Sequence, residues 1–301
     1  MSIPPDYLIE RKLNKSQIRN WKIAAITMFI LVLAVSTKKL FPADTLQLND
    51  YIASISIENE ILEDAKRDNK LVQIMDDNQI KALIVNVNSP GGTFVGAEKI
   101  YNIFRKTSKK KPVVVVMGTM ATSGGYLISL GADYIISHNG TITGSIGVIY
   151  PTAEVTELAE KIGIKFRNFK SGELKAAPNP MEKVTEAVAE ATMASIKDVY
   201  DSFVEFVAIR RGLSIEDTRQ LADGRIYTGR QALRLKLIDA IGSEDDAVKW
   251  LQEVKKIDSK LKVKEVKLKS ENKLLEMIYE DLDTIVPGFF KTKFRGLMSI
   301  I

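Results

Sequence analysis

Ser123 is the residue of this sequence that best fits a catalytic nucleophile. It stands in the run Ala-Thr-Ser-Gly-Gly-Tyr at 121–126, and a serine on a Gly-rich turn before a helix is typical of a nucleophilic hydroxyl. Such a serine needs a base, but the 301 residues contain one histidine, His138, and no cysteine. A lone histidine at the end of a predicted strand is usually a surface residue, so a lysine becomes the natural candidate.

Lys175 is the lysine whose surroundings best suit a general base. Burial disfavours the ammonium form of a lysine and lowers its pKa toward neutrality, which a base requires. Most of the 43 Lys and Arg residues must be solvated surface. Lys175 differs because Ser171-Gly172 lies just upstream and the uncharged Ala176-Ala-Pro178 follows. We therefore predict a Ser123–Lys175 pair.

Two glycine-containing turns offer backbone N–H groups to an oxyanion. Gly91-Gly92 follows a predicted strand, and Gly124 follows Ser123 near a helix N-terminus. Each turn alone has an ordinary explanation, since Pro-Gly-Gly forms tight turns and serine caps helices. Both turns fall at the carboxyl ends of parallel strands, where ligands usually bind. Together they predict an oxyanion hole beside the nucleophile.

Strand and helix patterns alternate along the chain and predict an α/β fold. Short β-branched runs predict strands, and helical spacing predicts the segments between them. The predicted strands cover 51–57, 82–87, 113–117 and 134–137, and the predicted helices cover 60–76, 97–106 and most of 181–221. Units of about 30 residues imply parallel strands with right-handed crossovers.

Composition narrows the classes of function. The net charge of +5 comes from basic residues near the N-terminus and from lysines between 255 and 273, and no nucleic-acid motif accompanies it. We therefore expect no nucleic-acid partner. The lack of cysteine excludes disulfides, thiolate catalysis and cysteine-based metal sites. No metal and no organic cofactor is predicted.

Residues 22–41 are predicted to form a transmembrane signal anchor that contacts the lipid bilayer, after a cytoplasmic tail at 1–21. The uncharged core of the anchor, 23–37, is flanked by Lys22 and Lys38. More basic residues precede it than follow it, which predicts a cytoplasmic N-terminus and an extracytoplasmic catalytic domain. A cleaved signal peptide is the alternative, because the small residues of Ala34-Val-Ser36 resemble a cleavage site.

Several motifs in sequence order resemble signal peptide peptidase A, a membrane-anchored bacterial family of serine–lysine peptidases. They are VNSPGG, MATSGGYLISLGADYI, TITGSIGVI, FKSGELK and ADGRIYTGRQAL, and the resemblance runs from about residue 51 to about residue 250. It implies a fold like that of the Clp protease proteolytic subunit and the crotonases, built from stacked ββα units. No cofactor is implied.

The resemblance also assigns roles to individual residues. It implies Ser123 as nucleophile, Lys175 as base, Ser145 as the residue that holds the lysine ammonium, and Gly92 as an oxyanion donor. The short form of the family assembles rings in which serine and lysine meet across a subunit boundary. A single copy of the fold therefore implies a homo-oligomeric ring and an inactive isolated protomer.

We accordingly expect a peptidase domain at 48–255 and a C-terminal extension at 256–301, on which the resemblance gives little guidance. The predicted function is a serine endopeptidase of the bacterial inner membrane that cleaves membrane-associated or unfolded peptides, such as leftover signal peptides. Two alternatives remain open: a crotonase-like acyl-CoA enzyme, which would not need Ser123, and an inactive peptide-binding scaffold.

Overall fold

The computed structural model of the protein describes residues 21–29, 50–268 and 298–300. The chain divides into two units, Met1–Asn49 and Asp50–Ile301. Residues 21–29 of the first unit are helical (α1). Within the three described ranges, no helix has the length and apolar character needed to cross a membrane. The part of the predicted anchor from 30 to 41 lies outside the described residues.

The second unit is a mixed α/β structure, as the alternation of patterns predicted. Its strands are β1 (Tyr51–Glu58), β2 (Ile80–Ser89), β3 (Gly91–Thr93), β4 (Val113–Thr122), β5 (Tyr134–Ser137), β6 (Ile142–Gly144), β7 (Ile226–Thr228), β8 (Ala240–Ile241), β9 (Val263–Glu265) and β10 (Met298–Ile300). Its helices are α2 (Ala65–Asp76), α3 (Phe94–Ser108), α4 (Gly124–Ser129), α5 (Thr156–Lys161), α6 (Glu186–Arg211), α7 (Ile215–Leu221), α8 (Gly229–Arg234) and α9 (Glu244–Glu253).

A central sheet has the strand order β7-β6-β4-β2-β1-β9, and β5 joins it between β4 and β8. All of its pairs are parallel except β6–β7. The strand β4 pairs with β5 through residues 114–117 and with β6 through 120–122. Its last residues therefore lie beside β6, and the turns that follow both strands share one edge of the sheet.

Both faces of the sheet are buried, which explains the continuous apolar runs of its central strands. Alternate residues of one strand enter opposite cores, as the period-two geometry of a strand requires. On β4, for example, Val113 and Val115 belong to the larger core and Val114 and Val116 to the smaller. The larger core lies against α3, α4 and α6, and the smaller lies against α9.

Three predicted boundaries near the site differ from the structure. The helix predicted from residue 60 begins only at Ala65, because the Asp64 carboxylate accepts the backbone N–H groups of Lys66 and Arg67 and caps α2 there. The strands predicted at 82–87 and 113–117 extend to Ser89 and Thr122. The sheet thus supports the chain up to both glycine turns.

Two short strands lie beyond residue 255. The strand β9, in the lysine-rich stretch after residue 255, pairs parallel with β1 at the edge of the sheet. The strand β10 pairs antiparallel with β3 in a separate two-stranded sheet. The second of these pairings reaches the glycine turn that sequence analysis singled out.

Candidate active site

Ser123 occupies the turn between β4 and α4. Its backbone has φ 54° and ψ −118°, a conformation that costs a residue other than glycine about 1–3 kcal/mol. The Ser123 N–H donates to the Gly144 carbonyl at 2.8 Å, which holds the turn. The residue is completely buried within the described structure. A strained strand–turn–helix junction of this kind is the mount that presents a nucleophilic serine in α/β hydrolases.

Ser145 lies next to this turn, on the neighbouring strand end. Thr122 and Gly144 are register partners in the parallel pair β4–β6, so Ser123 and Ser145 each leave the sheet one residue later. Both serines have positive φ, 54° and 49°. The Ser145 N–H donates to the Arg225 carbonyl at 2.8 Å. The structure therefore brings these two predicted site residues together.

Gly92 lies in β3, where only glycine fits. The Ile61 N–H donates to the Gly91 carbonyl at 2.7 Å, and the Thr93 N–H donates to the Ile61 carbonyl at 2.9 Å. A Cβ on Gly92 would sit 2.0 Å from that Ile61 oxygen. Because the Gly91–Gly92 peptide is trans, its N–H points away from Ile61. The Gly92 N–H is thus directed to the other edge of β3.

Gly124 places the nucleophile turn against this same strand. A Cβ on Gly124 would lie 3.2 Å from the backbone nitrogen of Gly92 and 3.3 Å from the Cα of Gly91. The two glycine turns predicted to form an oxyanion hole are therefore in van der Waals contact. The two predicted oxyanion donors, Gly92 and Gly124, thus belong to turns that lie side by side next to Ser123.

The edge of β3 that faces away from Ile61 pairs with an extended strand. Residues Met298–Ile300 pair with it antiparallel, with Ser299 opposite Gly92. Addition of a strand to an exposed edge is a common mode of peptide recognition, in which main-chain hydrogen bonds supply the affinity. The edge that carries the Gly92 N–H is thus built to pair with extended polypeptide.

The helix after the nucleophile is held at both ends. Tyr126 is fully buried and its hydroxyl donates to the Leu237 carbonyl at 2.9 Å, and burial raises the pKa of this phenol. At the other end, the Arg210 guanidinium donates to the carbonyls of Leu130 and Ala132 at 2.8 and 2.9 Å. A cation at a helix C-terminus also complements the helix dipole. Neither side chain was predicted from the sequence to support the site.

Lys175 lies apart from this group. It is exposed, in the irregular stretch between α5 and α6, and its backbone N–H donates to the Gly172 carbonyl at 3.1 Å. In the described parts of the chain, no hydrogen bond joins Lys175 to Ser123 or Ser145. Around it the stretch bonds to itself, through the ion pair of Lys170 with Glu182. Within the described residues of one protomer, the predicted base is thus exposed and not hydrogen-bonded to the predicted nucleophile.

The same stretch carries a concentration of exposed apolar side chains. Phe169 is 98 % exposed, an unusual state for so large an aromatic residue. Nearby, an open apolar cleft of about 370 Å³ lies along α6 and is lined by Val148, Met193, Ala194, Ile196, Lys197 and Tyr200. Further exposed apolar side chains of the region are Ile149, Leu158, Ile162, Ile164, Leu174, Met181 and Met193.

His138 is exposed at the end of β5, which agrees with its interpretation as a surface residue. Its backbone N–H donates to the Thr141 hydroxyl at 3.0 Å. Among the residues that the structure describes, no group of three or more His, Asp or Glu side chains is placed to hold a metal ion.

A buried serine at a strained strand–helix turn, with a second glycine turn beside it, is typical of α/β proteins of the serine-hydrolase type. Similarity to known proteins agrees with this class and identifies the family of peptidases within it. The sequence profile of peptidase family S49 matches residues 105–258, just over half of the chain. The chain belongs to peptidase family S49, and the resemblance to signal peptide peptidase A is thereby confirmed.

Individual relatives carry related names. The chain is 39% identical over 181 residues to the "Putative protease slr0021" of Synechocystis, covering 60% of this chain and 65% of that protein. It is 37% identical over 189 residues to the "Putative signal peptide peptidase SppA" of Enterococcus faecium, covering 62% and 55%. The matched regions thus span about 55–65% of the length of these relatives.

Among solved structures, a point mutant of ClpP1 from Listeria monocytogenes aligns with a TM-score of 0.43 and 18% identity. The alignment covers 64% of this chain and 92% of that one. A likeness at this level carries no information about the site.

Proposed function

We propose that this protein is a serine endopeptidase in which Ser123 attacks the peptide carbonyl and Lys175 is the base. The observation that carries the proposal is the contact between the Ser123–Gly124 turn and β3, whose Gly92 N–H faces an edge that pairs with extended chain. A peptide added along this edge would bring a backbone carbonyl to the serine. Acyl-CoA chemistry would require neither the serine nor the strand-pairing edge.

The chemistry follows from these positions. Neutral Lys175 takes the Ser123 hydroxyl proton while the oxygen bonds to the carbonyl carbon, and the carbonyl electron pair moves to oxygen. The N–H groups of Gly92 and Gly124 stabilise that oxyanion, and Ser145 orients the lysine. Collapse breaks the C–N bond, and the lysine returns its proton to the leaving amine. Water then hydrolyses the acyl-enzyme, so no cofactor is needed.

Lys175 must come from a second copy of the chain under this proposal. A lysine acts as a base only where water is kept from its ammonium, and Lys175 is exposed in a single protomer. The exposed apolar side chains around it, such as Phe169 and Leu174, would be covered in the same contact. We therefore propose a closed homo-oligomer in which each site combines Ser123 of one protomer with Lys175 of its neighbour.

The proposed setting is the bacterial inner membrane. Residues 22–41 would anchor the chain to the lipid bilayer, with the N-terminus cytoplasmic and the catalytic domain outside. Such an anchor favours substrates near the bilayer, including cleaved signal peptides and other apolar or unfolded segments. The relative of Enterococcus faecium that bears the name of a putative signal peptide peptidase supports this class of substrate.

The test uses two inactive variants, alone and combined. Ser123→Ala and Lys175→Ala should each abolish cleavage of an apolar fluorogenic peptide. Co-expressed in equal amounts, they should recover about a quarter of the wild-type rate, because that share of randomly assembled sites in a head-to-tail ring pairs an intact serine with an intact lysine. Rates and oligomeric mass are measured on the same preparations.

Lys165→Ala provides the matched control, since Lys165 is also exposed in the stretch that carries Lys175. It should retain the wild-type rate. Full activity of Lys175→Ala would overturn the assignment of the base. Two dead variants that fail to recover activity together would overturn the shared site while leaving the serine–lysine pair in place.

A further inference from the structure

The turn between β2 and β3 is held by two buried hydroxyl groups that the mechanism above does not use. Ser89 and Thr122 are both 0 % exposed. The Thr122 hydroxyl donates to the Pro90 carbonyl at 3.1 Å. The Ser89 hydroxyl accepts the Gly91 N–H at 3.1 Å and donates to the Asn59 carbonyl at 2.6 Å. The two side chains thus bond to opposite ends of one peptide unit.

That peptide unit determines where the next one points. Gly91 has φ 114°, a conformation that glycine adopts readily because it has no Cβ. Glycine alone would not hold the backbone in this one conformation. With the Pro90–Gly91 plane fixed by two hydroxyls and the Gly91 carbonyl bonded to Ile61, the Gly91–Gly92 plane has one orientation. In that orientation the Gly92 N–H faces the edge of β3 opposite Ile61.

Thr122 also connects the two turns directly. It is the residue before Ser123, and its hydroxyl bonds to a carbonyl of the glycine turn that lies 32 positions earlier in the chain. A displacement of either turn would stretch this bond. The Thr122 side chain therefore links the turn that carries the Gly92 N–H to the turn that carries Ser123.

We propose that Thr122 and Ser89 are positioning residues for the oxyanion donor Gly92. This inference rests on the proposed function. It assigns to the two hydroxyls an effect on the oxyanion-forming step and none on the binding of the uncleaved peptide. A hydroxyl that merely stabilised the fold would change the folded fraction and leave the oxyanion-forming step of the folded enzyme unchanged.

The decisive variants are Thr122→Val, which removes the hydroxyl and keeps the shape, and Thr122→Ser, which keeps the hydroxyl. Thr122→Val should lower kcat about tenfold, less than the loss of a donor itself, with KM within about twofold of wild type. Thr122→Ser should recover most of that loss. Inhibition by a peptide aldehyde, whose adduct with Ser123 places an oxyanion at Gly92, should weaken by the same factor as kcat.

Thr218→Val is the matched control, because Thr218 is fully buried and its hydroxyl donates to the Ser214 carbonyl in α7. It should leave kcat and the aldehyde affinity unchanged. Ser89→Ala is the second test variant and should behave as Thr122→Val, so the inference stays falsifiable if one variant does not fold. A kcat within about twofold of wild type in folded Thr122→Val would overturn it.

Hydrogen–deuterium exchange separates this inference from the proposed function. Exchange of the segment 90–93 should rise about tenfold in Ser89→Ala and in Thr122→Val, and stay at the wild-type rate in Thr122→Ser. Unchanged exchange in both test variants would overturn the inference, whether or not the wild-type protein cleaves peptides. Absence of cleavage by the wild-type protein, with the exchange result as expected, would instead overturn the proposed function.

Discussion

The turn that carries Ser123 and the stretch that carries Lys175 are built in opposite ways. The first is completely buried; it donates hydrogen bonds to β6 and to the 89–92 turn and accepts one from α4. The second is exposed, lacks strands and long helices, and bonds mainly to itself. Under the proposed mechanism, one protomer would supply the nucleophile half of the site and its neighbour the base half.

The two halves meet different requirements. An oxyanion hole works because its donors are fixed before the reaction, so it must be built into a rigid scaffold. A lysine base needs exclusion of water, which a neighbouring surface provides as well as a core does. Exposed apolar side chains around Lys175, with Phe169 almost fully in water, are consistent with a stretch that becomes buried on assembly.

Substitution of glycine by alanine should break the rigid half and spare the other. Gly92→Ala would place a Cβ 2.0 Å from the Ile61 carbonyl oxygen, so β3 must shift and its N–H must turn. We expect kcat/KM to fall by about 10²–10³, the effect of losing one oxyanion donor. Gly172→Ala, near Lys175, meets nothing within 4 Å and should leave the unfolding temperature unchanged.

Steady-state kinetics and thermal unfolding of both variants check this prediction. A folded Gly92→Ala protein that keeps more than a tenth of wild-type kcat/KM would contradict the placement of the donor. A large loss of stability in Gly172→Ala would show that the stretch around Lys175 is packed as tightly as the nucleophile turn.

Removal of residues 298–301 should leave the edge of β3 available to a peptide. Residues Met298–Ile300 pair with the strand that a substrate peptide would join, so the two compete. Deletion should lower KM about fivefold, equivalent to about 1 kcal/mol, and leave kcat unchanged. Peptide titrations of the full and shortened chains test this, and an unchanged KM would place the substrate elsewhere.

The smallest expected effect is a pH response confined to the stretch around Lys175. Hydrogen bonds from Lys170, Asn168 and Asn179 lower the pKa of Glu182 below its ordinary value. The carboxylate therefore stabilises the stretch above the ordinary carboxyl pKa of about 4.3. That contribution is lost as the pH falls through the lower pKa of the folded protein.

Limited proteolysis of the stretch 165–182 between about pH 7 and pH 3 measures this response. Cleavage should increase at the acid end in the wild-type protein, and Glu182→Gln should show less of that change. The bonds that hold the 89–92 turn join hydroxyls and backbone groups, which do not titrate in this range. An equal acid response of that turn would refute the contrast.

The strands were predictable because their pattern is local. The β-branched run of β4 predicts a strand wherever the chain places it, and β5 was predicted with the observed bounds. The predicted start of α2, residue 60, was wrong by five residues. The apolar spacing begins there, but capping by Asp64 makes the helix begin at Ala65. The extra length of β2 and β4 depends on pairing between strands, which periodicity alone does not reveal.

For the site, the position of the Gly92 and Ser123–Gly124 turns at one sheet edge was predicted from turn residues and strand patterns, whereas Ser145 was named only through the family resemblance. The supporting side chains did not, because their partners are distant in sequence. Tyr126 bonds to a carbonyl 111 residues away. Nothing in the local sequence of such a tyrosine distinguishes it from an ordinary core residue. The predicted role of Lys175 stays a prediction until an assembly is tested.

The positive φ angles of Ser123 and Ser145 have a consequence for engineering. Both conformations suit glycine better than serine, so a designer who optimised this fold for durability alone would replace both residues. If Ser123 and Ser145 act as proposed, heat resistance and turnover call for different residues at two adjacent strand ends. Selection of variants by thermal challenge alone would then enrich chains that outlast the parent protein and have lost the proposed activity.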